Sequence, residues 1–373
     1  MPGLHSGTMA VHEVAAKYAP LVVLHADDKL RPSGTDWFLA RSSLRWATGR
    51  DLDGDPVPDA GGDVDARRLG AESPDPYLHG GHLASALTRP LDDNAARQGD
   101  VPLEQGFFLR LGGDADARGD KGTSSDASVY AGSTTYWDYD EASQALTYWL
   151  FYAGSSPPLG ILRAGEQIGV RARDAAGAPA AEGVPRELEA AAAAAQLEEF
   201  QQAYPGLARE VEPAERTRGF GDALQRLRVV AEGVRALLRD DDVLHEGDWE
   251  RVTVYLDQSD PGGPPNSVAF YRHSTNTFRK WAGVEKDGTH PVVYSAIGSH
   301  ASLPSPGFGF IDVGDQNGPR WRTWEDLGAI ADQPWYGFGG AWGRVGKVRD
   351  STGPLGPGAH WKHAAPRPTA PGE

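Results

Sequence analysis

The chain has 373 residues, long enough for one large domain or two ordinary ones with a substantial core. Its formal net charge of -16 repels phosphate backbones and anionic headgroups, which sets aside nucleic acid and acidic membranes as simple electrostatic partners. Cysteine is absent, so disulfides, thiolate nucleophiles, iron–sulfur clusters and Cys-ligated zinc are excluded.

The aromatic supply (11 Trp, 12 Tyr, 11 Phe) combined with 47 Gly and 28 Pro points to many short strands joined by tight turns. No apolar run approaches the roughly 20 residues that span a bilayer. Met1 to Ala19 lacks a basic segment followed by an apolar one, so a cytoplasmic location is expected.

In chain order, the first stretch (residues 11–158) carries three strand-like segments. They are Leu21–His25, Gly106–Leu111 and Leu146–Tyr152, each short, rich in aromatic or β-branched residues and bounded by turn formers. Between them, Arg50–Asp65 and Gly112–Asp126 read as solvated loops dense in Gly, Asp and Pro. The second stretch (159–242) changes period. Glu187–Tyr204 is a strong helix former, and from Phe220 onward Leu224, Leu227, Ala231, Val234 and Leu238 form one stripe of an amphipathic helix. Pro205, Gly206 and Pro213 separate the two, which makes a helical hairpin inserted into a β scaffold. The third stretch (243–363) returns to strands at Trp249–Leu256, Ser267–Tyr271 and Pro291–Ser295. The expected fold is mainly β, a β-sandwich-like scaffold with an inserted α-helical hairpin.

The segment His245-Glu246-Gly247-Asp248-Trp249-Glu250 is the best candidate for chemistry. Strand alternation puts Asp248 and Glu250 on one face with Val252, Val254 and Leu256, which is the expected core face. Two carboxylates ending an apolar row are costly to bury unless something positive meets them. The alternative is that they stand at an exposed strand end or pair with an arginine. Asp240, Asp241 and Asp242 precede the segment at the end of a helix, where carboxylates oppose the helix dipole. An oxygen-rich set with one imidazole suits calcium, magnesium or manganese better than a structural zinc. His273 and His300 each end a strand in a polar loop, so three His-bearing strand ends could converge on one rim. Gly298–Ser302 is not a nucleophile elbow, because His300 stands where the serine would be.

His245–Glu250 followed by Val252, then Gly298–Ser302 with Pro304 and Gly307, resembles the paired signature of the Vps62 family. Tyr18-Ala19-Pro20, Trp149–Tyr152, Asp312, Trp321, Trp335 and Gly353–Pro357 extend the resemblance over nearly the whole chain. The resemblance implies a β fold and a site at His245–Glu250. Members of that family pass from the Phe-Tyr strand to the Asp-Trp-Glu motif by a short connection, whereas here the helical insertion intervenes and is expected to act as a lid. The same motif is more distantly similar to the metal-binding heptad of necrosis- and ethylene-inducing proteins, which implies a cation at His245, Asp248 and Glu250.

These readings lead to two expectations. The first is a metal-assisted hydrolase, lyase or cyclase acting on a small molecule. In it a divalent ion is held by His245, Asp248 and Glu250, and Glu250, His273 and His300 act in catalysis. The second is a lipid- or glycan-binding β-sandwich working at a membrane surface or on a sugar, in which the ion bridges to the ligand or stiffens a loop. A purely structural motif, satisfied by its own hydrogen bonds, is the remaining alternative.

Overall fold

The fold comes from a computed structural model that describes residues 10–39, 41–46, 107–111, 133–156, 186–203, 208, 230, 244–260, 262–273, 275–306, 312–333, 335–336, 341–343 and 353–357. Strand β5 (Ala145–Ser155) is buried along its whole length. Its sequence demands this, because Leu, Tyr, Trp and Phe follow one another with almost no polar alternation. Tyr148, Leu150 and Tyr152 point into one apolar cluster, while Trp149, Phe151 and Ala153 point into another. The chain must therefore supply a layer on each side of this strand.

Strand β5 lies inside a six-stranded sheet with β4 (Thr135–Asp140), β6 (His245–Tyr255), β7 (Ser267–Arg272), β8 (Thr275–Lys280) and β13 (Leu327–Ala329), in the order β13-β4-β5-β6-β7-β8. Every pairing is antiparallel except β13 with β4. A second sheet orders β11 (Ser302–Leu303), β10 (His290–Ser295), β1 (Leu21–Val23) and β12 (Arg320–Arg322), with β9 (Lys286–Asp287) also on β10. Here β1 runs parallel to β10, so both strands finish at the same end.

Val22 and Leu24 from the β1 segment, Val293 of β10 and Trp321 of β12 pack against Leu146, Tyr148, Leu150, Val252, Val254 and Phe270 of the large sheet. The two sheets thus form a sandwich whose middle is apolar. Helix α1 (Val11–Tyr18) joins the same cluster through Val14, Ala15 and Tyr18.

The outer face of the large sheet is covered as well. Helix α2 (Thr35–Leu39) and the hairpin β2 (Ser42–Trp46) with β3 (Phe107–Leu111) lie there, together with Trp335 and Trp342. Trp249 packs into this second cluster against Phe151 at 4.8 Å and Trp342 at 5.2 Å between ring centroids. Asp248 and Glu250 do share a strand face with Val252 and Val254, but the opposite face of β6 is a core too. The supply of tryptophan made that second core possible, and each large side chain fully buried there contributes roughly 2 kcal/mol.

The expected helix at 187–204 is present as α3 (Arg186–Ala203), and Leu197 and Phe200 are buried. Ala208 and Val230 are helical and buried too. The remainder of the second expected helix, the loops at 50–65 and 112–126, and the Asp240–Asp242 run lie outside the described residues. Among the described residues no helix is long and apolar enough to cross a membrane.

One close backbone approach holds the start of β6. Gly247 has φ 62°, and a Cβ there would lie 1.7 Å from the Trp342 carbonyl oxygen. Gly288 has nearly the same φ, 63°, but open space around it. Gly288→Ala should therefore cost about 1 kcal/mol from backbone strain alone. Gly247→Ala should cost upwards of about 3 kcal/mol, because strain and overlap add. Urea unfolding of the two variants measures the difference.

Candidate functional site

The antiparallel pairing of β5, β6 and β7 places the end of β5, the start of β6 and the end of β7 side by side. The loops that follow β1 and β10 meet the same edge: the Gly298 N–H donates to Asp28 at 2.8 Å and the Ser156 N–H donates to the Gly298 carbonyl. One rim between the two sheets therefore gathers Asp28, Tyr152, Asp248, Glu250, His273, Ser299, His300 and Asp312.

His300 is buried, and its ring lies between two carboxylates. Nδ1 donates to Asp248 Oδ2 at 2.7 Å, and Nε2 stands 3.6 Å from Asp28 Oδ2 without a hydrogen bond of its own. Tyr152 stacks flat on the imidazole, with centroids 3.8 Å apart and planes 2° from parallel. The Tyr152 hydroxyl meets Ser295 Oγ at 3.2 Å. Burial pushes this phenol upward, only partly offset by the Ser295 bond, and the nearby Asp28, Glu250 and Asp248 charges add to the rise. Asp28 is fixed independently, because its other oxygen accepts from the Leu30 N–H at 3.0 Å. The buried carboxylates thus each have a partner, as buried charge requires.

A second unit adjoins the first. Asp312 is buried and lies 3.1 Å and 3.3 Å, through its two oxygens, from His273 Nε2. Ser299 Oγ donates to it at 2.7 Å, and Arg272 Nη1 stands 3.8 Å away. Burial alone would raise this carboxyl, but His273, Ser299 and Arg272 together outweigh that effect and hold it below its ordinary value.

Both histidines adopt left-handed backbone conformations, with φ 51° at His273 and φ 54° at His300. Such strain costs a non-glycine residue of order 1 kcal/mol or more and persists only where the surroundings enforce it. His273 sits at the tip of the β7–β8 hairpin, where Arg272 pairs with Thr275. His300 closes the β10–β11 turn, its N–H bonded to Ala296 O.

Glu250 differs from its neighbours. It keeps partial solvent exposure, and among the described residues no hydrogen bond reaches its carboxyl. Desolvation, then the Asp248 and Asp312 charges, raise it well above its ordinary 4.5, against a weaker opposing pull from Arg251. A carboxyl in this state is an acid that retains its proton where Asp312 has lost its own.

His245 is placed differently from the other two histidines. It opens β6 opposite Ser155, and its Nδ1 meets the Gly247 carbonyl at 2.8 Å. Among the described residues no group of three or more His, Asp or Glu side chains that could hold a metal ion is found. The closest companion of Asp248 is a histidine and that of His245 a backbone carbonyl.

Reasoning from strand ends named His273, His300, Asp248 and Glu250 but passed over Asp28 as a partner. The same logic reaches it, since Leu21–Leu24 is an apolar run that ends in His25-Ala26-Asp27-Asp28. Tyr152 and Arg272 carried no comparable signal, because an aromatic residue or an arginine at a strand end is common.

The two shifted carboxyls have opposite effects on stability. Glu250 is raised in the fold, so the folded chain keeps this proton after the unfolded chain has lost it. Its contribution is present below 4.5 and is lost as pH rises through the higher folded value. Asp312 is lowered, so its contribution is present above 3.8 and is lost as pH falls through the folded value. Glu250→Gln removes the first dependence and leaves the second. The thermal midpoint of this variant relative to the parent should therefore climb as pH rises above 4.5 through the folded value of Glu250, as read by calorimetry.

No protein-family model matches the chain, no curated protein matches it, and no solved structure matches it.

Proposed function

We propose that this chain is an enzyme, a hydrolase, lyase or cyclase that works on a small molecule by acid–base chemistry at the rim between the sheets. The observation that carries the reading is the geometry of the rim, where buried Asp312 holds His273 Nε2 at 3.1 Å and Ser299 Oγ at 2.7 Å beside a Glu250 carboxyl that no hydrogen bond reaches among the described residues. Burial raises Glu250, while the donors around Asp312 hold that carboxyl low. Groups whose surroundings push their proton affinities apart are suited to separate acid and base roles.

In this reading Glu250 is the acid and hands its proton to an oxygen of the substrate. His273, oriented by Asp312, accepts a proton on the other side. His300 is a positioning residue here: with both ring nitrogens facing carboxylates it fixes Asp248, whose charge adds to burial in raising Glu250. Kinship with the Vps62 family, carried by His245–Glu250 and Gly298–Ser302, belongs to the same proposal.

Turnover against a panel of esters, lactones, phosphodiesters and glycosides tests it. Glu250→Gln should reduce the rate by about 100-fold or more, the usual scale of a lost general acid, with the cooperative fold kept. Asp248→Asn should also impair turnover. A parent protein inert across the panel, or two variants at full rate, would count against the enzyme.

A second reading keeps the divalent ion. It is favoured by the carboxylates Asp248 and Asp312 crowding Glu250, a negative charge that a cation would offset. The residues proposed to hold it are Asp248, Glu250 and His245, with calcium, magnesium or manganese ahead of zinc. Elemental analysis of purified protein, and a thermal midpoint that falls several degrees with chelator and recovers with one of these ions, would support it. Liposome and glycan binding with and without chelator separates the lipid- or glycan-binding alternative from both.

A further inference from the structure

Three separate restraints turn His300 toward Asp28. Its Nδ1–H donates to Asp248 Oδ2 at 2.7 Å, Tyr152 stacks on its ring at 3.8 Å between centroids, and its backbone is held at φ 54°. A neutral imidazole that donates through Nδ1 presents a lone pair at Nε2. That nitrogen is buried, makes no hydrogen bond among the described residues, and stands 3.6 Å from Asp28 Oδ2. Asp28 is fixed as well, because Oδ1 accepts from the Leu30 N–H at 3.0 Å and Oδ2 from the Gly298 N–H at 2.8 Å. One lone pair of Oδ2 is left over. Two acceptors then face each other inside the sandwich, an arrangement that burial penalises unless positive charge lies between them.

We propose that this pair is the seat of one divalent cation, bound by His300 Nε2 and Asp28 Oδ2, with Asp248 as the carboxylate that orients the ligating ring. The spacing decides among the occupants. A direct hydrogen bond requires about 2.8 Å between nitrogen and oxygen, well short of the separation here. A water bonded to both atoms at about 2.8 Å would be pinched to an angle of about 80°, far from its tetrahedral preference. An ion with bonds of about 2.1 Å to each atom spans them at about 120°, closer to a tetrahedral site than to an octahedral one. A histidine that gives its other N–H to a carboxylate is also the usual arrangement around a ligating imidazole, since it fixes the tautomer and strengthens the donor. With an imidazole as half of the protein ligand pair, zinc comes ahead of magnesium and calcium. Two side chains leave the other positions to oxygens of water or of a small molecule. Neither Glu250 nor His273 takes part, so the inference stands apart from the acid–base reading. Its ligands also differ from the set of His245, Asp248 and Glu250.

The test uses the full chain, stripped of metal and titrated with zinc against a chromophoric chelator, while long-range proton–nitrogen NMR follows the imidazole nitrogens. The parent should take up one zinc per chain. Among the rim histidines His300 alone should shift, at Nε2, with its Nδ1 hydrogen kept. Asp28→Asn should weaken binding by about 100-fold or more, and His300→Gln should abolish it. Asp248→Asn should weaken it by about tenfold or more, the usual scale for a lost orienting partner, and should disturb the Nδ1–H signal of the metal-free chain. His245→Gln, which cuts the other ligand set, should leave the affinity within about twofold.

The NMR signature of the parent keeps the proposal open to failure even if His300→Gln does not fold. A parent that binds no zinc, bound zinc that leaves His300 Nε2 unshifted, or an affinity that follows His245 rather than Asp28 overturns it.

Discussion

Negative charge buried between two sheets is the constraint on which the rest of this rim depends. Asp28, Asp248 and Asp312 are all buried at the edge of an apolar sandwich. Isolated carboxylates there would cost several kcal/mol each, more than the burial of any single core side chain returns. Each is instead met by a donor: Gly298 and Leu30 backbone for Asp28, His300 for Asp248, and His273 with Ser299 for Asp312. The two left-handed histidines follow from the same need. Their backbones are strained because their rings must face inward from the ends of tight turns, and the bonds made there hold them.

The double-sided sheet is what makes such precision available. Tyr152 and Asp248 are paired across β5 and β6, with the first cluster on one side and the tryptophan cluster on the other. Neither strand can slip by one residue without sending Trp149, Phe151 and Trp249 into the sandwich and Tyr152 and Asp248 out of it. Register is therefore fixed by packing on both faces. The stack of Tyr152 on His300 then transmits that register to the loop after β10.

Much of the scaffold could be read from local pattern. Strands β5, β6, β7 and β10 are visible as short apolar runs, and the period of two correctly put Asp248 and Glu250 beside Val252 and Val254. The Ala- and Glu-rich run marked α3 to within a residue or so. The sequence pattern could not provide the pairing of distant segments. Asp28 and Gly298 are 270 residues apart, and nothing local to either announces the other. The same holds for His273 and Asp312, brought together only because the two sheets face each other. Period-two reasoning also assigned β6 a single buried face. Tryptophans from α2's neighbourhood and from positions 335 and 342 cover the other, and their destination depends on tertiary packing rather than on spacing.

Glu250 is then the point where the balance is left open. Asp28, Asp248 and Asp312 have used the nearby imidazoles, the serine hydroxyl and backbone donors, while Glu250 has the weaker pull of Arg251, whose guanidinium lies over the rings of Tyr271 and Trp149. Uncompensated negative charge in a confined place can be relieved by holding a proton or by binding a cation, and both leave the same carboxyl at the partly exposed position. A chain carrying a net charge of -16 offers little positive charge to spare elsewhere. The proton affinity of Glu250 is therefore a consequence of how the surrounding donors are distributed. Removing the Asp312 charge lowers that affinity.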